Sequence, residues 1–191
     1  MKDVAFLFAR QDSNYKAMPG CDVFDIDRDA RTFAGGMPVV AHPPYRMRGR
    51  LRKFAKGRPD EKALGIWAVD QVRTWGACLS IQRKARCSTT AACRTQGSSP
   101  TSSAVGSWRS SSSTGGHRAE KATWLYIVGG SPSGIPAIPR RTGKPMHCVR
   151  PTRSYPRLPS ITKAGREHTP PPLAEWLVEL ARRTAKRRLI A

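Results

Sequence analysis

Two groups of residues in this sequence have the types and spacing that could do chemistry. The first is an acidic pair, Asp25 and Asp27, at the end of an apolar run that begins at Cys21. Carboxylates at the end of a strand can accept hydrogen bonds from ribose hydroxyls. The same pattern is also typical of solvated acids in a turn, so the residues alone leave both interpretations open.

The second group is the tetrapeptide His42-Pro43-Pro44-Tyr45, which follows an apolar run at 37–41. Two prolines in succession fix a rigid turn and present the next side chain above the edge of a sheet. Proteins that act on a nucleic-acid base can use such a turn to hold the flipped base. An ordinary turn between a strand and a loop is the alternative interpretation.

A basic strip follows this turn directly. Clustered cations can bind phosphates and position a nucleic acid, although a solvated basic loop has the same composition. The strip consists of Arg46, Arg48, Arg50, Arg52, Lys53, Lys56 and Arg58.

The net charge of +21 over 191 residues also indicates a nucleic acid, and DNA is the partner that we expect. The excess is uneven, because no acidic residue occurs between Gln71 and Ala119. The excess is therefore regional, and this one region, with seven basic residues and no acid, inflates the net charge.

The elements that must position these residues alternate between strands and helices. Apolar runs predict strands at 4–9, 21–27, 37–41 and 124–128. Helical spacing predicts one helix from Pro59 to Gly76 and a second from Thr169. The pattern favours an α/β fold, a small Rossmann-like and mostly parallel sheet with flanking helices. The sheet is expected to be incomplete, with irregular Ser/Arg-rich and Pro-rich segments.

Five segments follow from this pattern. We expect half of an α/β domain over 1–76, an irregular segment over 77–116, a returning core strand over 117–130, a Pro/Arg-rich linker over 131–168, and an amphipathic helix with a basic tail over 169–191.

Three motifs resemble those of cytosine-specific (C5) DNA methyltransferases. Leu7-Phe8-Ala9 resembles their first strand, 116–125 resembles their Gly-x-x-x-x-Lys-x-Thr-x-Leu segment, and 169–175 resembles the Pro-Pro-x-Leu-Ala start of their last helix. The whole chain is similar to a phage- and prophage-borne protein family of about this length. The resemblance covers 1–76 and 117–185.

The resemblance implies a role for each matching residue. It places S-adenosylmethionine beside five residues, Phe8, Asp25, Asp27, Pro171 and Leu173. It makes Pro43 and Pro44 the catalytic turn, with Tyr45 at the position of the nucleophilic cysteine. It assigns DNA contacts to Arg118 and Lys121, in addition to the basic strip.

Three departures from the family predict that this chain is inactive. The residues after Phe8 lack the glycines that let a backbone approach the cofactor. The phenol of Tyr45 does not replace a thiolate nucleophile. The glutamate motif that should follow the first long helix is absent.

An out-of-frame origin would explain the missing glutamate. Codons compatible with 78–88, read from the third base, encode Leu-Glu-His-Pro-Ala-Glu-Ser-Thr-Leu-Phe, and the same offset accounts for the serine run and the lack of acids. A disordered Ser/Arg linker has the same composition. We predict that 77–116 are translated out of the ancestral frame.

Two other functions fit the residues. One is a non-catalytic basic protein that binds DNA or RNA, and the other is an amino-methyltransferase that uses the His-Pro-Pro-Tyr turn. The five cysteines are expected to be reduced and to bind no metal. No apolar run is long enough to span a membrane, and we expect a cytoplasmic protein.

Overall fold

A computed structural model gives the fold of the chain. It describes residues 1–45, 52–54, 56–82, 104–110, 118–119, 123–139, 146–149 and 157–185.

The core of the fold is a six-stranded mixed sheet. Its strands are β1 (Val4–Leu7), β2 (Cys21–Phe24), β3 (Val39–Ala41), β4 (Ala77–Gln82), β5 (Ala104–Ser110) and β6 (Thr123–Val128). They lie in the order β2-β1-β3-β4-β6-β5. The first four strands are parallel, and β6 is antiparallel to both β4 and β5. The expectation of an α/β fold with a mostly parallel sheet is confirmed.

Three α-helices accompany the sheet in the described part of the chain, and they are α1 (Glu61–Trp75), α2 (Lys163–Glu167) and α3 (Pro171–Thr184). Side chains alternate between the two faces of each strand. Phe6 and Cys78 belong to a core cluster with α3, whereas Leu7 and Leu79 belong to a second cluster with α1. The central strands are thus covered on both faces.

The two long helices form where helical spacing predicts them. α1 buries Leu64, Ala68 and Val72, and its C-cap is Gly76, whose φ of 83° favours glycine. α3 buries Trp176, Leu177 and Leu180, as the spacing predicts, while Leu173 is partly buried. The indole nitrogen of Trp176 donates a hydrogen bond to the carbonyl of Pro136 at 3.0 Å.

The prediction that 77–116 are irregular is wrong at two places. β4 occupies the centre of the sheet, between β3 and β6, and β5 forms its far edge. The apolar residues Ala77, Cys78 and Leu79 are fully buried. β3 pairs with Ala77–Leu79, and β6 pairs with β4 along its whole length, so backbone hydrogen bonds to β6 keep the polar residues that follow Leu79 in the strand. The sheet is therefore not missing this central strand.

The segment predicted as a linker, 131–168, also contains regular structure. It includes the 3₁₀ turn Pro132–Gly134 and the short helix α2, in which the Thr162 side chain accepts a hydrogen bond from the backbone N–H of Gly165. A capping hydroxyl of this kind starts a helix even within a proline-rich segment. No helix in the described part of the chain has the length and apolar character needed to cross a membrane.

Candidate functional site

The candidate site lies at the carboxyl edge of the parallel strands. Leu7 is in register with both Phe24 and Ala41, so β1, β2 and β3 end at the same level. The side-chain amide of Asn14, in the connection after β1, donates a hydrogen bond to the carbonyl of Thr169 at 2.7 Å and ties the start of α3 to this edge. Open α/β sheets bind ligands at such an edge.

The loop after β1 is held to α2 by charged side chains. The guanidinium of Arg10 lies 2.7 Å from a carboxylate oxygen of Asp12 and 2.9 Å from one of Glu167. The hydrogen bond with Asp12 is the main cause of the raised pKa of Arg10 and of the lowered pKa of Asp12.

Asp25 is engaged by the protein itself. Nζ of Lys16 lies 2.5 Å from Oδ2 of Asp25, whose side chain is only 6% exposed. Oδ1 accepts hydrogen bonds from the backbone N–H groups of Asp27 and Arg28, at 3.0 and 3.2 Å. These contacts, above all the one from Lys16, lower the pKa of Asp25. Its carboxylate is therefore fully used within the loop.

Asp27 is exposed, and its carboxylate also has a partner from the β1–β2 connection. The side-chain amide of Gln11 donates to Oδ2 of Asp27 at 2.9 Å. Both acids that the resemblance assigns to the cofactor are thus bonded to side chains of this chain.

Tyr15 and His42 join the β1–β2 loop to the end of β3. The Tyr15 hydroxyl lies 3.1 Å from Nε2 of His42, and the two rings stack at 5.8 Å. The Tyr15 ring also stacks on Phe6 at 3.8 Å, and Tyr15 is 1% exposed. Burial raises the pKa of the Tyr15 phenol, and a hydrogen bond with the Thr169 side chain opposes part of that rise. The phenol is therefore neutral and fixed in place.

The proline turn directs Tyr45 inward. Pro43 is buried and Pro44 is half-buried. The Tyr45 ring packs against the core cluster on the α1 side, and its hydroxyl donates to the carbonyl of Ser80 in β4. Tyr45 consequently braces β3 against β4 at the edge.

The residues at this edge do not fit S-adenosylmethionine. No glycine occurs in 8–17, and Phe8 itself has a φ of 61° with its ring packed edge-on against Trp67. A side chain at that position occupies space where a glycine would let a ligand approach the backbone. On the helix that should pack beside the cofactor, Pro171 is exposed and Leu173 is half-buried in the core.

The structure describes only some of the predicted DNA-contacting residues. Lys53 and Arg118 are exposed, and Arg52 lies in the 3₁₀ turn Arg52–Phe54. β6, the strand that follows Lys121 in the sequence, begins at the edge where β4 ends, because Thr123 pairs with Gln82. Lys56 and Arg58 of the basic strip are also exposed, whereas Arg46, Arg48, Arg50 and Lys121 lie outside the described residues.

The sequence patterns did not predict the roles of three residues at this edge. They are Tyr15, Lys16 and the hydrogen-bonding side chain of His42. One local signal was available, because Ser13 caps the 3₁₀ turn Asn14–Ala17 and so fixes the direction of Tyr15. Among the described residues, Cys21, Cys78 and Cys148 are free and buried, and no group of side chains is suited to hold a metal ion.

No protein-family model matches the chain, and no curated protein or solved structure is significantly similar to it.

Proposed function

We propose that this chain is a non-catalytic relative of the cytosine-specific DNA methyltransferases, a phage-type protein that keeps a Rossmann-like scaffold and binds DNA. The observation that carries the proposal is the meeting of distant motifs at one sheet edge. Phe8, the Pro43-Pro44 turn and the start of α3 come from three parts of the sequence, and hydrogen bonds through Asn14 and Tyr15 hold them together.

The strand order supports the same proposal. Among the strands that the structure describes, only β6 runs against the others, and it lies between β4 and β5, which share one direction. A mostly parallel sheet with flanking helices is compatible with the Rossmann-like scaffold that the motif resemblance implies. A fold supports many functions, so the order agrees with the proposal without carrying it.

The side chains at the edge support a loss of catalysis. Attack on a cytosine ring needs a thiolate, and the residue after the prolines is Tyr45. The buried thiols of Cys78 and Cys21 do not replace it, because burial raises the pKa of both. The carboxylates of Asp25 and Asp27 are bonded to Lys16 and Gln11, which further supports the proposal that the chain binds no S-adenosylmethionine.

The amino-methyltransferase alternative has less support from this geometry. It requires an aromatic ring that is free to stack on a flipped base. The ring of Tyr45 packs against the core, and its hydroxyl is bonded to the carbonyl of Ser80. Binding of DNA without chemistry is the function that the edge supports best.

A methyl-transfer assay tests the proposal. Labelled S-adenosylmethionine is incubated with the full chain and plasmid DNA, with boiled protein as the blank. We expect no transfer above the blank for the parent chain and for Tyr45→Cys, because the glutamate motif is also absent. Transfer by the parent would overturn the proposal, and analysis of the methylated base would then separate C5 from amino methylation.

A binding assay tests the second part of the proposal, the binding of DNA. Fluorescence anisotropy with a labelled DNA duplex should show binding that needs no S-adenosylmethionine. The affinity should fall steeply between roughly 50 and 200 mM salt, because phosphate contacts release counterions. Absence of duplex binding at low salt would contradict the proposal.

A further inference from the structure

We infer that Phe54 is a stacking platform for a base of single-stranded nucleic acid, an inference that rests on the proposed nucleic-acid binding. The chain has five phenylalanines. The other four, Phe6, Phe8, Phe24 and Phe33, belong to the core clusters or pack against them. Phe54 is 85% exposed, so it contributes nothing to either cluster.

The surroundings of Phe54 distinguish it from an incidental exposed apolar residue. It ends the 3₁₀ turn Arg52–Phe54, and Lys53 and Lys56 on either side of it are both exposed. Within the described residues neither lysine forms an ion pair, whereas the nearby Arg58 is paired with Asp60 at 3.2 Å. An aromatic face between two unneutralised ammonium groups complements a base and its flanking phosphates.

The position of this turn fits the same partner. In the sequence, Phe54 stands between the end of β3 and the start of α1, with Lys53 directly before it and Lys56 two residues after it. A nucleic-acid strand bound at this turn would meet a cation from each side of Phe54 along the chain. Its phosphates would supply the negative charge that the strip lacks.

Stacking selects a single strand over a duplex. The faces of paired bases are covered by their neighbours in a duplex, whereas an unpaired base offers its face to an aromatic side chain. Each such contact contributes about 1–3 kcal/mol, which corresponds to roughly 5- to 150-fold in affinity. The cations, in contrast, act on both forms because both carry phosphates.

The test compares a fluorescent oligothymidylate of about 20 nucleotides with a duplex of the same length, by anisotropy on the full chain. We expect Phe54→Ala and Phe54→Leu to weaken binding of the single strand about 10-fold and to change duplex binding less than about twofold. Phe54→Trp should retain the parent affinity. Ile66→Ala, which truncates another exposed apolar side chain, is the matched control and should have no effect.

A salt titration separates stacking from charge. Phe54→Ala should leave the slope of affinity against salt unchanged. Replacement of both Lys53 and Lys56 by glutamine should weaken the binding of the single strand and of the duplex. It should also reduce the slope of affinity against salt by up to about 2.

Two results would overturn the inference while the proposed function stands: parental affinity of Phe54→Ala for the single strand, or equal weakening of single strand and duplex. Failure of the parent chain to bind either ligand would overturn both.

Discussion

Nζ of Lys16 lies 2.5 Å from Oδ2 of Asp25, so a side chain from the β1–β2 connection neutralises the acid that directly follows β2. The Lys16 side chain is 44% exposed and Asp25 only 6%. The ammonium group therefore covers the carboxylate from the solvent side. In a cofactor-binding sheet this acid would face the ligand, whereas here it stabilises the loop.

The Lys16–Asp25 contact predicts a pH-dependent stability. Asp25→Asn should lower the free energy of unfolding by about 1–2 kcal/mol at neutral pH, because it removes a charged hydrogen-bond acceptor. The folded-state pKa of Asp25 lies below its usual value. Its contribution is thus complete above about pH 4 and is lost as the pH falls further through the folded-state pKa. Urea unfolding at neutral pH and near pH 2 measures the difference.

Asp27→Asn is the matched control for this pH dependence, because Asp27 is exposed and accepts a hydrogen bond from the uncharged side chain of Gln11. Its effect should stay within about 0.5 kcal/mol at both pH values. A loss for Asp25→Asn that persists at low pH would contradict the assignment to the carboxylate charge.

The Tyr15–His42 hydrogen bond predicts a coupling between the loop and the proline turn. Tyr15→Phe keeps the stacked ring but leaves a partly buried nitrogen of His42 without this partner, so it should cost about 1–2 kcal/mol. A double-mutant cycle with His42→Ala should give a coupling energy near 1 kcal/mol. Additive effects in chemical unfolding would show that the contact contributes no stability.

The backbone at Ala77 predicts an unusual tolerance of glycine. Ala77 starts β4 with a φ of 87°, a conformation that strains an L-residue and suits glycine. Ala77→Gly should therefore stay within about 0.5 kcal/mol of the parent, because strain relief offsets the lost methyl group.

Ala68→Gly, at an equally buried site within α1, provides the comparison and should cost about 2 kcal/mol. Equal losses for the two variants in thermal unfolding would contradict strain at Ala77.

We propose that 77–116 arose by two compensating frame changes, which predicts the codons of the gene. The reading frame offset from that of Cys78 should be free of stop codons across this segment and should encode a Glu-His-Pro motif. Nucleotide sequencing between the codons of Trp75 and Trp124 measures this directly. A stop codon in the offset frame, or a missing Glu-His-Pro string, would refute the out-of-frame origin.

Local pattern alone was sufficient for the strands and long helices of the first and last parts of the chain. Runs such as 4–7 are fully buried, and the stripe of Leu64, Ala68 and Val72 faces the sheet as its spacing requires. These elements can be predicted from the sequence because each one buries a particular face, and the apolar residues of that face recur at the spacing of a strand or of a helix. The alternation of strands and helices then implies the α/β class.

Only the tertiary structure shows that β4 belongs to the sheet and that the polar side chains of the candidate site already have partners within the protein. Ala77–Gln82 is a central strand because it lies between β3 and β6 and pairs with both of them. The spacing of apolar residues within this segment does not predict that pairing. The partners of Asp25, Asp27 and His42 lie 9, 16 and 27 residues away along the chain, across loops whose path only the folded sheet defines. Residue types could therefore propose a ligand site, but the contacts between loops determined that its acids are already occupied.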